Sequence, residues 1–160
     1  MKTVKTLFLA IIAVSLAFVA CNNNNDDDST PSGPYLRAKV DGVAYESNTS
    51  LLTGQAAFGE VVIGGYESAL GKSISLDFKE NLAAGTYIFD GSVDEQASAA
   101  YYAGGIAGST YGDVSGSFTI LEYDTVANSV KGTFNFVGVD VLSEDSVHVT
   151  DGEFFIEYQQ

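Results

Sequence analysis

The sequence predicts an all-β fold, an antiparallel β-sandwich of roughly 8–10 strands, with a closed β-barrel as the alternative arrangement. Three observations lead there. Apolar and polar residues alternate with period two through much of residues 35–160. Glycine is plentiful, at 17 residues, while proline occurs only twice, which suits strands joined by tight turns. No window of ten or more residues carries a convincing amphipathic helical pattern.

The elements follow in chain order. "YLRAKV" sets Leu36, Ala38 and Val40 on one face against Tyr35, Arg37 and Lys39 on the other. Asp41-Gly42 then accepts the positive φ at both centres of a type I′ hairpin turn. "KSISLDFK" places Ile74, Leu76 and Phe78 opposite Ser73, Ser75 and Asp77, the mark of a strand with one dry and one wet face. Gly85 before "TYIF" and Gly132 before "TFNF" mark strand entries or bulges. "VDEQASAAYYAG", Val93 to Gly104, is alanine-rich enough for a helical turn or two. "KGTFNFVG" pairs Phe134 and Phe136 against Thr133 and Asn135, and "EFFIEY" sets Phe154, Ile156 and Tyr158 opposite Phe155 and Glu157. Asp151-Gly152 reads as a second hairpin turn.

The N-terminal residues have another character. "MKTVKT" carries two lysines and no acid, and "LFLAIIAVSLAFVA" follows with Ser15 as its single polar residue. A basic start, a short apolar run and small residues at its end form a secretory signal peptide over residues 1–20. The run is too short for a membrane-spanning helix, which needs about 20 apolar residues. "FVAC", Phe18 to Cys21, resembles the lipobox of bacterial lipoproteins, with Phe18 in place of the usual leucine. That resemblance implies that Cys21 becomes the mature N-terminus and carries diacylglycerol and a further acyl chain, such as palmitate. Two or more chains hold a protein stably at a bilayer, since each buried methylene contributes about 0.8 kcal/mol. "NNNNDDDSTPSGP" has no apolar residue, so residues 21–34 are expected to form a disordered tether with ends roughly 20 Å apart. The run resembles the acidic export signals of surface-displayed lipoproteins of the Bacteroidetes type. This implies an outer-membrane address facing outward, with a periplasm-facing domain as the alternative.

Once the leader is removed, five basic residues stand against 21 acids, a net charge of −16. Such a surface repels phosphate backbones, so no nucleic-acid partner is expected. One cysteine builds neither an internal disulfide nor a zinc site.

Residues 35–160 read as one domain. Its stretches "AKVDGVAY", "AAGTYIFD", "GSFTILEYD", "VKGTFNF" and "VTDGEFFI" resemble, in order, a family of small Bacteroidetes-type lipoproteins with a β-rich domain of unknown function. The resemblance implies a fold and an address and carries over no catalytic residue.

Candidate sites are few. His148, the single histidine, alternates with Val147 and Val149 and so belongs on a wet face. A nucleophile, a base and an orienting acid must meet in space, and no G-x-S-x-G elbow presents a serine, so an enzyme is not expected and a hydrolase is the remote alternative. Asp140, Glu144 and Asp145 could join carboxylates around Ca²⁺, although no EF-hand pattern accompanies them; no cofactor is expected. Tyr101, Tyr102 and Tyr111 flank the glycine-rich "GGIAGSTYGDVSG" and could stack on a sugar or anchor a protein partner. "DST", "DTV" and "DSV" resemble the O-glycosylation acceptor of Bacteroidetes-type exported proteins, which implies Ser29, Thr125 and Ser146 as glycan carriers. The expectation is a lipid-anchored, non-enzymatic binding or accessory module. A structural subunit of a fimbria-like or envelope assembly, with strand edges pairing between chains, is the alternative.

Overall fold

Ten strands follow one another, interrupted by one short 3-10 turn, in a computed structural model that describes residues 33–69, 71–92, 96–105 and 108–160. They are β1 (Tyr35–Val40), β2 (Val43–Glu46), β3 (Thr53–Ala57), β4 (Glu60–Tyr66), β5 (Ser73–Lys79), β6 (Gly85–Phe89), β7 (Ala97–Tyr102), β8 (Thr110–Asp124), β9 (Ser129–Val139) and β10 (Ser146–Glu157). The signal peptide, Cys21 and Ser29 lie outside the described residues.

All strands join one antiparallel sheet in the order β2-β1-β10-β9-β8-β7-β5-β4-β3. The all-β expectation therefore holds, and the sheet curls into a half-barrel, so the two walls of the core are parts of one sheet. β8 forks it. Its residues Thr110–Gly112 pair with β7, while Gly116–Ile120 pair with β6, and β9 runs along the opposite edge.

Hydrogen bonds tie the far ends of this curl. The Gln159 amide donates to the Gly54 carbonyl at 3.1 Å, and the Ala56 amide donates to the Gln159 carbonyl at 2.7 Å, so the C-terminal residues bridge onto β3. Beyond β2, the Asn48 amide donates to the Tyr66 carbonyl at 2.8 Å, and the buried Tyr45 hydroxyl donates to the Gly65 carbonyl.

The inner face is the one the alternation predicts. Leu36, Ile74, Leu76, Phe78, Phe134, Phe136, Phe154, Ile156 and Tyr158 are all buried. At the centre the Phe118 ring stacks on Phe154 with centroids 5.5 Å apart, and Phe78 lies 4.9 Å from Phe118. Fully burying side chains of this size contributes about 1.5–3 kcal/mol each.

Two local readings change. Residues 97–102 form β7, an extended strand with Ala97, Ala99 and Tyr101 inward, so the alanine-rich segment is not helical there. Asp151-Gly152 is not a hairpin turn. Asp151 does take φ 51°, but it sits inside β10, where the register slips against both neighbours, and so makes a bulge. Gly132 marks a bulge, as expected: it lies within β9, opposite the point where β8 bulges between Ile120 and Glu122. The Asp41-Gly42 hairpin is confirmed, with φ of 49° and 79° joining β1 to β2, and Gly85 does open β6. A further turn of the same kind, Phe58-Gly59 with φ of 57° and 85°, joins β3 to β4.

Candidate ligand-binding mouth

The register gathers four connections at one end of the curl. Val40 pairs with Val43 and Val149, Val139 with Ser146 and Gly112, Tyr102 with Thr110 and Ser73, and Ser73 with Tyr66. The β1–β2, β4–β5, β7–β8 and β9–β10 connections therefore surround the same opening. Tyr35 pairs with Phe155 at the other end, so β1 enters the fold away from this mouth.

A cavity of about 300 Å³ lies in the opening. Tyr101 and Tyr111 face each other directly across β7 and β8, with ring centroids 6.0 Å apart and planes inclined at 33°. Tyr101 is the inward residue of β7 nearest the mouth, and only 5% of it is exposed. Its hydroxyl has no hydrogen-bond partner among the described residues, and its ring lines the cavity. Burial raises the Tyr101 phenol pKa, and the nearby Glu67 and Asp41 carboxylates raise it further. Tyr111 is half-buried, and Gly138 across the ladder makes room for it: a Cβ at Gly138 would lie 2.9 Å from the Tyr111 Cβ. Tyr102 points to the other face, where its hydroxyl donates to the Gly105 carbonyl. Two of the three candidate tyrosines thus converge and one does not.

The cavity lining itself carries one group of each charge, Asp41 and Lys72, with the Glu67 carboxylate nearby. Asp41 is pinned in the β1–β2 turn, where its Oδ1 accepts from the His148 amide at 2.9 Å and its own amide donates to the His148 carbonyl at 2.8 Å. Lys72, just before β5, also lines the cavity. Arg37, Lys39 and Lys79 are paired with Glu153, Asp151 and Glu60 at 2.8, 2.9 and 2.5 Å, whereas Lys72 forms no ion pair with a described residue. Nothing in the sequence distinguished Lys72, and Asp41 stood out only as a turn former.

The remaining candidates are separate. Asp140 is buried and closes its own loop: its carboxylate accepts from the Leu142 and Ser143 amides at 2.7 and 3.0 Å. Those bonds, with one from the Ser109 side chain, hold its pKa below the usual carboxylate value. Glu144 and Asp145 are exposed, and the described residues contain no group of three or more His, Cys, Asp or Glu that could hold a metal ion. Thr125 is exposed in the β8–β9 turn, at the opposite end from the mouth, while Ser146 is exposed beside the cavity. His148 is exposed between buried Val147 and Val149, as the alternation requires.

A second hollow, about 420 Å³, lies on the outer face beside Glu60, Asp77, Lys79, Gln96 and Ser98. Near it, β7 leaves β8, and the Asp113 carboxylate replaces the lost ladder by accepting from the Ala99 amide at 2.6 Å. The other Asp113 oxygen is buried without a partner among the described residues, and burial raises the pKa of both Asp113 and Asp77.

No curated protein matches the chain. No solved structure matches it either. A family model does, described as a domain of unknown function (DUF6252), and it covers residues 32–156. With more than half of its length matched, the chain belongs to this family of unknown function.

Proposed function

We propose that the protein is a lipid-anchored, non-enzymatic binding module of the cell envelope, displayed at the surface and holding its ligand at the mouth of the curled sheet. The observation that carries this reading is polarity along the fold. β1 enters at Tyr35, at the end away from the opening that exposes Tyr111, Asp41 and Lys72. An acylated Cys21 followed by a polar tether of roughly 20 Å would moor that far end and leave the opening free.

Supporting features are the lipobox-like "FVAC", the acidic tether and a surface charge that disfavours nucleic acid. The structural-subunit alternative needs long free strand edges. Here β2, β3 and β6 have 4, 5 and 5 residues, and the ends at β2 and β3 are tied by Asn48 and Gln159. Metabolic labelling with an alkyne palmitate should tag the wild-type chain. Cys21→Ser should abolish the tag and release the protein from the membrane fraction. A Cys21→Ser protein that still sediments with membranes would overturn the anchor.

A further inference from the structure

We infer that the mouth accepts an uncharged sugar ring, the terminal unit of a glycan, an assignment that rests on the binding-module reading above. Four observations converge on it. Tyr101 lines the cavity with all but 5% of its surface removed from solvent, and its hydroxyl makes no hydrogen bond to a described residue. A hydroxyl not engaged by the protein at the wall of a cavity can donate to or accept from the hydroxyls of a guest. The Tyr111 ring stands beside it as a partly buried aromatic wall of the cavity, and flat aromatic faces suit the C–H face of a pyranose.

The rim supplies the remaining recognition chemistry. Lys72 offers donors and Asp41 offers a carboxylate oxygen, so the lining balances to zero charge. A polyol carries hydroxyls that both donate and accept, and it uses both rim groups at once. An anion would meet Asp41 and the strongly acidic surface, and a cation would meet Lys72. The cavity, at about 300 Å³, stands at the small end of the usual range for ligand pockets, which is roughly 300–1,000 Å³. That is room for one ring and not for an extended chain.

The test is an NMR titration of the purified full chain carrying Cys21→Ser, using methyl α-mannoside, methyl β-galactoside, methyl β-glucoside, glucuronate and choline as separate probes. At least one neutral glycoside should move the amide signals of Lys72, Asp41 and Tyr111. Tyr111→Ala should weaken that response by roughly tenfold. Tyr101→Phe is the companion variant. It keeps the packed ring and removes only a hydroxyl that makes no hydrogen bond to a described residue, so it should fold normally and still lose affinity.

Glucuronate or choline acting at the mouth while the glycosides do not would overturn the uncharged-sugar assignment and leave the binding reading standing. If no probe moves the mouth signals, the sugar assignment fails. The anchored-module reading fails separately, on the membrane release and labelling of the Cys21→Ser protein.

Discussion

Asp113 acts as a surrogate stretch of strand. Where β7 diverges from β8, its carboxylate accepts the Ala99 amide that would otherwise be buried without a partner, at a desolvation cost of about 1–3 kcal/mol. The charge itself is costly there, because the second oxygen has no donor among the described residues and burial raises the pKa. A carboxyl whose folded pKa lies above its unfolded value favours the folded state most when protonated. Its contribution is present below the ordinary carboxylate range and is lost as pH rises through the raised folded value. Asp113→Asn keeps an acceptor for Ala99 and removes the charge. It should therefore be more stabilising, relative to wild type, at pH 7 than at pH 4, as urea unfolding would show. Equal differences at both pH values would refute this. Asp140 and Asp124 work in the opposite sense: backbone amides lower their pKa values, so their support is present above the ordinary carboxylate range and lost as pH falls through the lowered value. None of these roles was legible in the sequence, where Asp113 is one acid in a glycine-rich stretch. The bond to Ala99 depends on a separation of two strands that no local pattern encodes.

Among the elements, legibility followed the strength of the alternation. β1, β5, β9 and β10 each carry large apolar residues on one face, and their inward sets were readable. β7 was misread because its inner face is built from Ala97 and Ala99, and alanine favours a helix wherever packing does not decide. Here packing decides: small side chains fit where β7 lies along β5, with Phe78 directly opposite Ala97. Turn chemistry was legible at Asp41-Gly42 and missed at Phe58-Gly59, since phenylalanine is an unusual occupant of positive φ. In the long β8, Gly116 takes φ 148° between its pairings with β6 and β9, and a Cβ there would lie 2.2 Å from the Asn135 carbonyl oxygen. No flexible side chain can yield at that contact, so Gly116→Ala should cost about 3 kcal/mol or more. At Gly42, where nothing lies within 4 Å of the added atom, the cost should be only about 1 kcal/mol. Chemical denaturation of the two variants side by side would check the contrast, and equal losses would contradict it.

For the molecule as a whole, the all-β class was readable but the single curled sheet was not. Period-two patterning fixes which face of a strand is dry, while the choice of neighbours is made by long-range pairing. The mouth was half legible for the same reason. Tyr101 and Tyr111 could be named from their surroundings, but Lys72 and Asp41 join them only through the register. The curl is also held by its final residues. Tyr158 is buried, its amide donates to the Asn128 carbonyl at 2.8 Å, and Gln159 bridges to β3. Removing residues 158–160 should cost about 3 kcal/mol, combining a lost buried aromatic with lost backbone bonds. Hydrogen exchange should then quicken selectively in β3. Unchanged protection of the Ala56 amide would show that the bridge is dispensable.

The pairing of β1 with β10 sets an order of events in time. A ribosome or a translocation pore releases the chain from its beginning, so the first strand waits for the last one, more than a hundred residues later, before its second edge is filled. Partial chains halted anywhere short of Ser146 should stay sensitive to protease, and resistance should arise in a single step on release of the finished polypeptide.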